Sequence, residues 1–271
     1  MTPDFIAAEL ENCFSDSDLF EQVDELNGEV YRQIDDRRTF RVLLENRPYF
    51  VKVHHGVGWR EIFKNLMQGR APVLGAKNEW LAIERLHAWG VPTMTASLYC
   101  ERGVNPSARR SAIMTESLEP TISLEDYKAD DAVQRRKILE EVARISGLMH
   151  RAGVNHRDFY LCHFLMRTDK TTVIELHVID LHRAQVRDRV PRRWQVKDLG
   201  GLLFSAFDKK LTRRDLLRFI KVYSKQDLRD ALSDKSLWRQ VVKRAKKLYL
   251  QDHDKLPDEI TELLTNIGDE S

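Results

Sequence analysis

Asn155-His156-Arg157-Asp158, followed 22 residues after its aspartate by the end of Val178-Ile179-Asp180, is the stretch on which the fold reading turns. It comes after an amphipathic segment ending Leu148-Met149-His150-Arg151-Ala152-Gly153, in which Gly153 is a helix stop. Asp158 therefore falls in a loop just beyond a helix. A loop carboxylate can orient and deprotonate a hydroxyl without a strongly raised pKa when the transition state is loose, as in phosphoryl transfer. Asp180 closes Thr172–Ile179, which reads as two short strands with a tight turn. A strand-end carboxylate is a hard oxygen ligand of the kind Mg²⁺ takes. An isolated His-Arg-Asp triplet arises often by chance; the helix stop before it and the second aspartate after it make it specific.

Upstream, Tyr49-Phe50-Val51-Lys52-Val53 reads as a buried strand carrying one lysine. An ammonium there must reach solvent or meet anions, because an unpaired buried charge is costly. Glu79 and Glu84 lie on the helical segment Lys77–Trp89, and Glu79, near its start, is the better partner for Lys52. A strand lysine fixed by a helix carboxylate, then a loop aspartate, then a metal-binding aspartate is the order an ATP-dependent phosphotransferase needs.

The remaining pattern fits that order. Helical spacing of Leu19, Phe20, Val23 and Leu26 after Asp16 predicts a short helix. Glu29 to His54 reads as a three-strand meander with turns at Asp35–Arg38 and Glu45–Pro48. Trp59–Leu66 and Lys77–Trp89 are helical, and Thr95–Tyr99 and Ser111–Thr115 are strands. Glu116 to Thr121 is a connector, Val133–Arg151 a helix, and helices run from Lys197 to the end. Residues 1–118 are expected to form a small-sheet N-terminal lobe and 119–271 a mainly helical C-terminal lobe, an α+β chain.

With these residues in place, the order Lys52, Glu79, Asp158, Asp180 resembles the protein-kinase-like superfamily. Val57-Gly58-Trp59-Arg60-Glu61-Ile62-Phe63-Lys64-Asn65-Leu66, the run from Asn155 through Cys162-His163-Phe164-Leu165, and Ile179-Asp180-Leu181-His182-Arg183-Ala184 resemble the lipopolysaccharide core heptose(I) kinases of Gram-negative bacteria. The likeness spans about Gly28 to Tyr223. It implies a two-lobed protein-kinase-like fold and ATP- and Mg²⁺-dependent phosphorylation of the first inner-core heptose at its 4-hydroxyl. Carried over, Lys52 binds ATP phosphates, Asp158 is the catalytic base and Asp180 ligates Mg²⁺. Backbone groups of Glu116 and Leu118 in the connector bind adenine.

The chain departs from ordinary protein kinases at three places. His163 stands where an asparagine metal ligand is usual, and imidazole is a softer ligand than Mg²⁺ prefers; it contacts the metal, a phosphate or the base. The glycine-rich loop is replaced by Gln33–Thr39, so Arg37 or Arg38 covers phosphates by charge. Leu181 and His182 replace the usual phenylalanine and glycine. The rival readings are a kinase acting on Tyr, Ser or Thr of proteins and a pseudokinase that only binds nucleotide. No Ala-Pro-Glu element follows Asp180, which argues against the first. Retention of Lys52, Asp158 and Asp180 argues against the second.

Charge adds the partners. The net charge of +2 hides an acidic first 30 residues without Lys or Arg, and twelve Lys/Arg against four Asp across residues 183–221. That basic block suits an anionic partner: a lipopolysaccharide core precursor, an anionic inner-membrane surface or an acidic protein. Arg183, Arg187 and Arg193 border the expected acceptor site as anion clamps. Helix Leu237–Leu250, with Leu237, Val241, Ala245 and Leu248 on one face, is either core or a membrane-surface helix. Nucleic acid is not expected, since no reader motif or interleaved aromatics accompany the charge. Cys162, His163, His150 and His156 lack paired zinc-ligand spacing. Three scattered cysteines and no signal-like start point to the cytoplasm, peripheral to the inner membrane.

Overall fold

Alternation decides the sheet. In the strand Arg47–His54 the side chains of Tyr49, Val51 and Val53 are buried, while Lys52 projects from the opposite face. The computed structural model describes residues 3–268 except 16, 35, 68, 70, 71, 130 and 170–172, with backbone alone at 252 and 265–268. Asp16, Asp35 and Thr172, which entered the sequence reading, thus lie outside the described residues.

The chain divides into two units. The first comprises residues 1–84, 94–118 and 180–183; the second comprises 85–93, 119–179 and 184–271. A division at residue 118 was expected, and the units differ from it by exchanging 85–93 and 180–183.

Unit 1 holds β1 (Phe5–Ile6), α1 (Leu19–Asp24), β2 (Glu29–Ile34), β3 (Arg37–Leu44), β4 (Arg47–His54), α2 (Gly58–Met67), the start of α3 (Lys77–Ala88), β5 (Ala96–Arg102) and β6 (Arg110–Glu116). The strands form one antiparallel sheet in the order β1-β5-β6-β4-β3-β2. Glu45 and Asn46, both at positive φ, make the two-residue turn between β3 and β4, the geometry that matches strand twist. Asp18 caps α1, its Oδ1 accepting the Phe20 N–H at 2.8 Å. Leu10, Phe20, Val23, Phe40, Val51, Leu98 and Met114 fill the core on one side of the sheet. Register places Arg37 opposite His54 and Thr39 opposite Lys52, so these four residues share the other face. On α2, Trp59, Phe63, Leu66 and Met67 are exposed and only Ile62 is buried.

Unit 2 holds β7 (Thr121–Ser123), α4 (Ala132–Arg151), β8 (Val154–Asn155), β9 (Phe164–Arg167), β10 (Leu176–Val178), β11 (Gln185–Val186), α5 (Arg192–Ser205), α6 (Arg213–Ser224), α7 (Leu228–Ser233), α8 (Lys235–Asp252) and α9 (Asp258–Gly268). One expectation is corrected here. Among the described residues of this stretch, 173–179, no hairpin is seen: β10 pairs with β9 instead, Val178 opposite Phe164, and β9 pairs with β7. Phe164 and Met166 alternate with half-buried Leu165 and Arg167, so the partner strand lies upstream of the assumed turn. The apolar stripe of α8 is core, since Leu237 and Val241 pack with Leu199, Ile220 and Tyr223. Unit 2 also contains an apolar cavity of about 650 Å³ lined by Leu139, Val142, Leu199, Leu203 and Trp238 among others, with Lys128, Arg135, Lys209 and Lys210 in its lining. No helix among the described residues is long and apolar enough to cross a membrane.

Candidate active site

Lys52 reaches the centre of unit 1's polar cluster. Its Nζ donates to Glu79 Oε1 at 2.7 Å and to Asp180 Oδ1 at 3.2 Å. Glu79, in the first turn of α3, is fully buried. Burial by itself would lower the Lys52 pKa; the Glu79 and Asp180 carboxylates outweigh it, against Arg37, and hold the ammonium above the usual lysine value. A charged lysine is thereby fixed in place. Asp180 adopts a positive φ, and its Oδ1 also pairs with His182 Nδ1 at 2.7 Å. A non-glycine residue in that conformation is strained, and such strain collects at functional sites.

His54 shares the Lys52 face. It is 4 % exposed, its Nε2 is buried without a hydrogen-bond partner, and burial followed by the charge of Arg37 and Lys52 pushes its pKa down to about 3. Of the two candidate phosphate-covering arginines, Arg37 faces this cluster. Arg38 is committed elsewhere: it pairs with the Asp24 carboxylate at 3.6 Å and stacks over the Phe40 ring at 4.3 Å.

In unit 2, the Asp158 loop is held from below by a residue the sequence reading passed over. The buried Asp198 carboxylate of α5 accepts the His156 N–H at 2.7 Å and the Arg157 N–H at 2.9 Å. His150 Nε2 lies 3.3 Å from Asp198 Oδ2, and His150 Nδ1 lies 2.8 Å from the Tyr223 hydroxyl. These bonds, with Arg157 at φ 77°, set the path of the chain into Asp158. The signal was Asp198-Leu199-Gly200-Gly201-Leu202, a carboxylate followed by small and apolar residues within a helix. Gly153 is required on the other side of the loop: a Cβ there would stand 1.8 Å from the Arg187 carbonyl oxygen.

His163 Nδ1 lies 2.6 Å from the Asp158 carbonyl oxygen, and its ring stacks on His156 at 5.4 Å. That bond fixes the imidazole against the backbone of the candidate base. For Mg²⁺, Asp180 is the fitting donor: a hard carboxylate oxygen already placed beside the Lys52 ammonium, of the kind that holds Mg²⁺ together with substrate phosphates. Among the described residues no three His, Cys, Asp or Glu side chains cluster as an all-protein metal site.

In the connector, the Glu116 N–H donates to Thr95 O at 2.9 Å and the Ser117 N–H to Pro48 O at 3.0 Å. Arg183 belongs to unit 1, whereas Arg187 and Arg193 belong to unit 2 and share contact with Trp194.

Residues 21–223 match the lipopolysaccharide kinase (Kdo/WaaP) family. A Pseudomonas aeruginosa protein named lipopolysaccharide core heptose(I) kinase WaaP is 51% identical over 242 residues, covering 86% of this chain and 90% of its own. A protein of the same name from Escherichia coli K12 is 50% identical over 225 residues, covering 80% and 85%. A solved structure described as WaaP in complex with acyl carrier protein superposes with a TM-score of 0.78 at 44% identity, covering 91% of this chain and 99% of that one. With a family model matching residues 21–223 and named relatives about half-identical over most of its length, this chain belongs to the lipopolysaccharide kinase (Kdo/WaaP) family.

Proposed function

We propose that this kinase transfers the γ-phosphoryl group of ATP to the 4-hydroxyl of the first heptose of the lipopolysaccharide inner core. The observation that carries the reading is the Lys52–Glu79–Asp180 cluster in a chain about half-identical to named heptose(I) kinases. Lys52, fixed by Glu79, binds the ATP phosphates, and Arg37 adds charge on the same sheet face. The Glu116 carbonyl and the Leu118 N–H bind adenine. Asp180 holds Mg²⁺, which supplies charge neutralisation to the phosphates when bound. Asp158 orients the heptose hydroxyl and accepts its proton, and His163 fixes the Asp158 backbone. Arg183, Arg187 and Arg193 receive anionic groups of the acceptor. Mass spectrometry of purified core oligosaccharide incubated with protein and Mg-ATP tests this. One added phosphate on the first heptose is expected; phosphate on protein hydroxyls alone would overturn it.

The acidic partner proposed for this chain is an acyl carrier protein, the protein with which WaaP is in complex in the similar solved structure. The unit 2 cavity supports it. An apolar space of about 650 Å³ beside Lys128, Arg135, Lys209 and Lys210 suits an acyl chain delivered by an acidic carrier. Co-elution with the acylated carrier and not with the unacylated one is the expected result. Residence at the cytoplasmic face of the inner membrane is supported by α2, whose exposed Trp59, Phe63, Leu66 and Met67 suit a bilayer interface.

A further inference from the structure

Phe50, Lys52 and His54 follow one another along the polar face of β4. Register gives this face a direction. Tyr49 lies opposite Glu116, where the connector begins, and His54 lies opposite Arg37 at the far end of the strand. Lys52 stands between the two ends. His54 closes the line with its bonding incomplete: the side chain is buried, and its Nε2 has no hydrogen-bond partner. The Arg37 Nε–H, on the opposing strand, is buried without a partner too. A polar atom buried unpaired is costly. Two of them on one sheet face, next to a fixed lysine, mark a place where a ligand completes the bonding. Arg37 and Lys52 come first among the charges that act on His54, so the ligand group favoured there is an anion.

The direction of the face selects the part of the anion. With adenine at Glu116 and Leu118, as proposed, Lys52 meets the phosphates nearest the nucleoside. His54 is two residues further from the connector, about 7 Å along the strand. Only the end of the phosphate chain remains to be held there. We propose that His54 binds the terminal phosphoryl group of ATP, its Nε2 donating to a γ-phosphate oxygen beside the Arg37 guanidinium, and that this pair distinguishes ATP from ADP. The inference rests on the nucleotide reading and deepens it, adding a residue and assigning it to one phosphate. A phosphate oxygen only accepts, so the ligand selects the ring tautomer with hydrogen on Nε2. A neutral imidazole supplies that donor without repelling Arg37 and Lys52. Arg37, half-buried, turns its guanidinium onto the phosphate and opens the Nε2 edge. A glycine-rich loop would cover this phosphate with backbone groups. Here Gln33–Thr39 replaces that loop, and side chains of β3 and β4 take over its task.

The test reads binding apart from catalysis. In the full-length protein, the imidazole ¹⁵N signals of His54, assigned with His54→Gln, are followed without acceptor sugar while Mg²⁺ and either the non-hydrolysable β,γ-imido analogue of ATP or ADP are added. Movement of Nε2 to a protonated-nitrogen position with the imido analogue, and none with ADP, is expected. By calorimetry, His54→Leu should weaken binding of the imido analogue about tenfold, in line with loss of one charge-assisted hydrogen bond, and leave ADP binding unchanged. His54→Gln, whose side-chain N–H can reach the same oxygen, should recover most of that loss. A residue that only packs would not separate the two nucleotides. An equal response of His54 to both nucleotides overturns the proposal, and so does unchanged affinity of His54→Leu for the imido analogue. If His54→Leu does not fold, the titration of the parent protein still decides. Failure of the nucleotide reading is distinct: the parent would then bind neither nucleotide, which overturns both. Failure of this inference alone leaves binding intact and His54 silent.

Discussion

Lys52 Nζ stands 2.7 Å from the fully buried Oε1 of Glu79, and the same ammonium reaches Asp180. A strand, a helix start and a loop 128 residues further on in the chain are joined by one side chain. Glu79 Oε2 has no hydrogen-bond partner, so Lys52 is the charge that makes burial of this carboxylate tolerable.

Lys52→Met is therefore expected to destabilise the fold by about 3–5 kcal/mol, the cost of stranding a buried carboxylate, besides weakening ATP use. Lys52→Met with Glu79→Leu should recover much of that loss without recovering activity. Urea unfolding of the two single variants and the double variant measures it. Additive losses would show that the pair is not coupled.

Asp158→Ala should lower kcat by about 10²–10⁴-fold while a nucleotide analogue binds as before. Steady-state kinetics and calorimetric titration separate the two. Undiminished turnover would remove the base assignment.

Asp198→Ala strands two buried main-chain N–H groups, and is expected to cost about 2–6 kcal/mol in stability at about 1–3 per group, with a lower kcat. Asp198→Asn keeps a carbonyl acceptor and should lose less of both. Equal damage from the two variants would point to charge, not to the held loop.

His54 gives a pH signature. Its folded pKa is about 3, against about 6.5 for an unperturbed imidazole. Below pH 6.5 the unfolded chain binds a proton that the folded protein does not. The His54 contribution to stability is thus fully present above pH 6.5 and falls as pH drops toward 3, with a slope approaching about 1.4 kcal/mol per pH unit. His54→Gln should flatten the stability curve by that amount between pH 6 and 4 relative to the parent. Parallel curves would mean that His54 is charged in the folded state.

Much of the architecture is legible in the sequence. The meander through Lys52 can be read because β4 alternates strictly, with Tyr49, Val51 and Val53 on the core face. The Lys77 helix and the long helix ending at Arg151 can be read from their period and stops. The strand pairing after Asp158 cannot. Short runs such as Phe164–Arg167 and Leu176–Val178 carry no local mark of which partner they choose, since backbone hydrogen bonds are satisfied equally by near or distant strands.

What the linear order determined by itself was chemical identity: a lysine in an apolar strand, a carboxylate at the start of a later helix, and two further aspartates, each of a type phosphoryl transfer uses. Side-chain chemistry and periodicity are local, so they survive without the fold. Only the folded chain decided that Arg37 and not Arg38 shares the Lys52 face, that Asp198 anchors the His156–Arg157 backbone and that four cations surround Trp194. Each of those depends on rotation about a helix or strand axis and on contacts between residues remote in sequence. Such contacts are set by what the core buries, and no single segment encodes them.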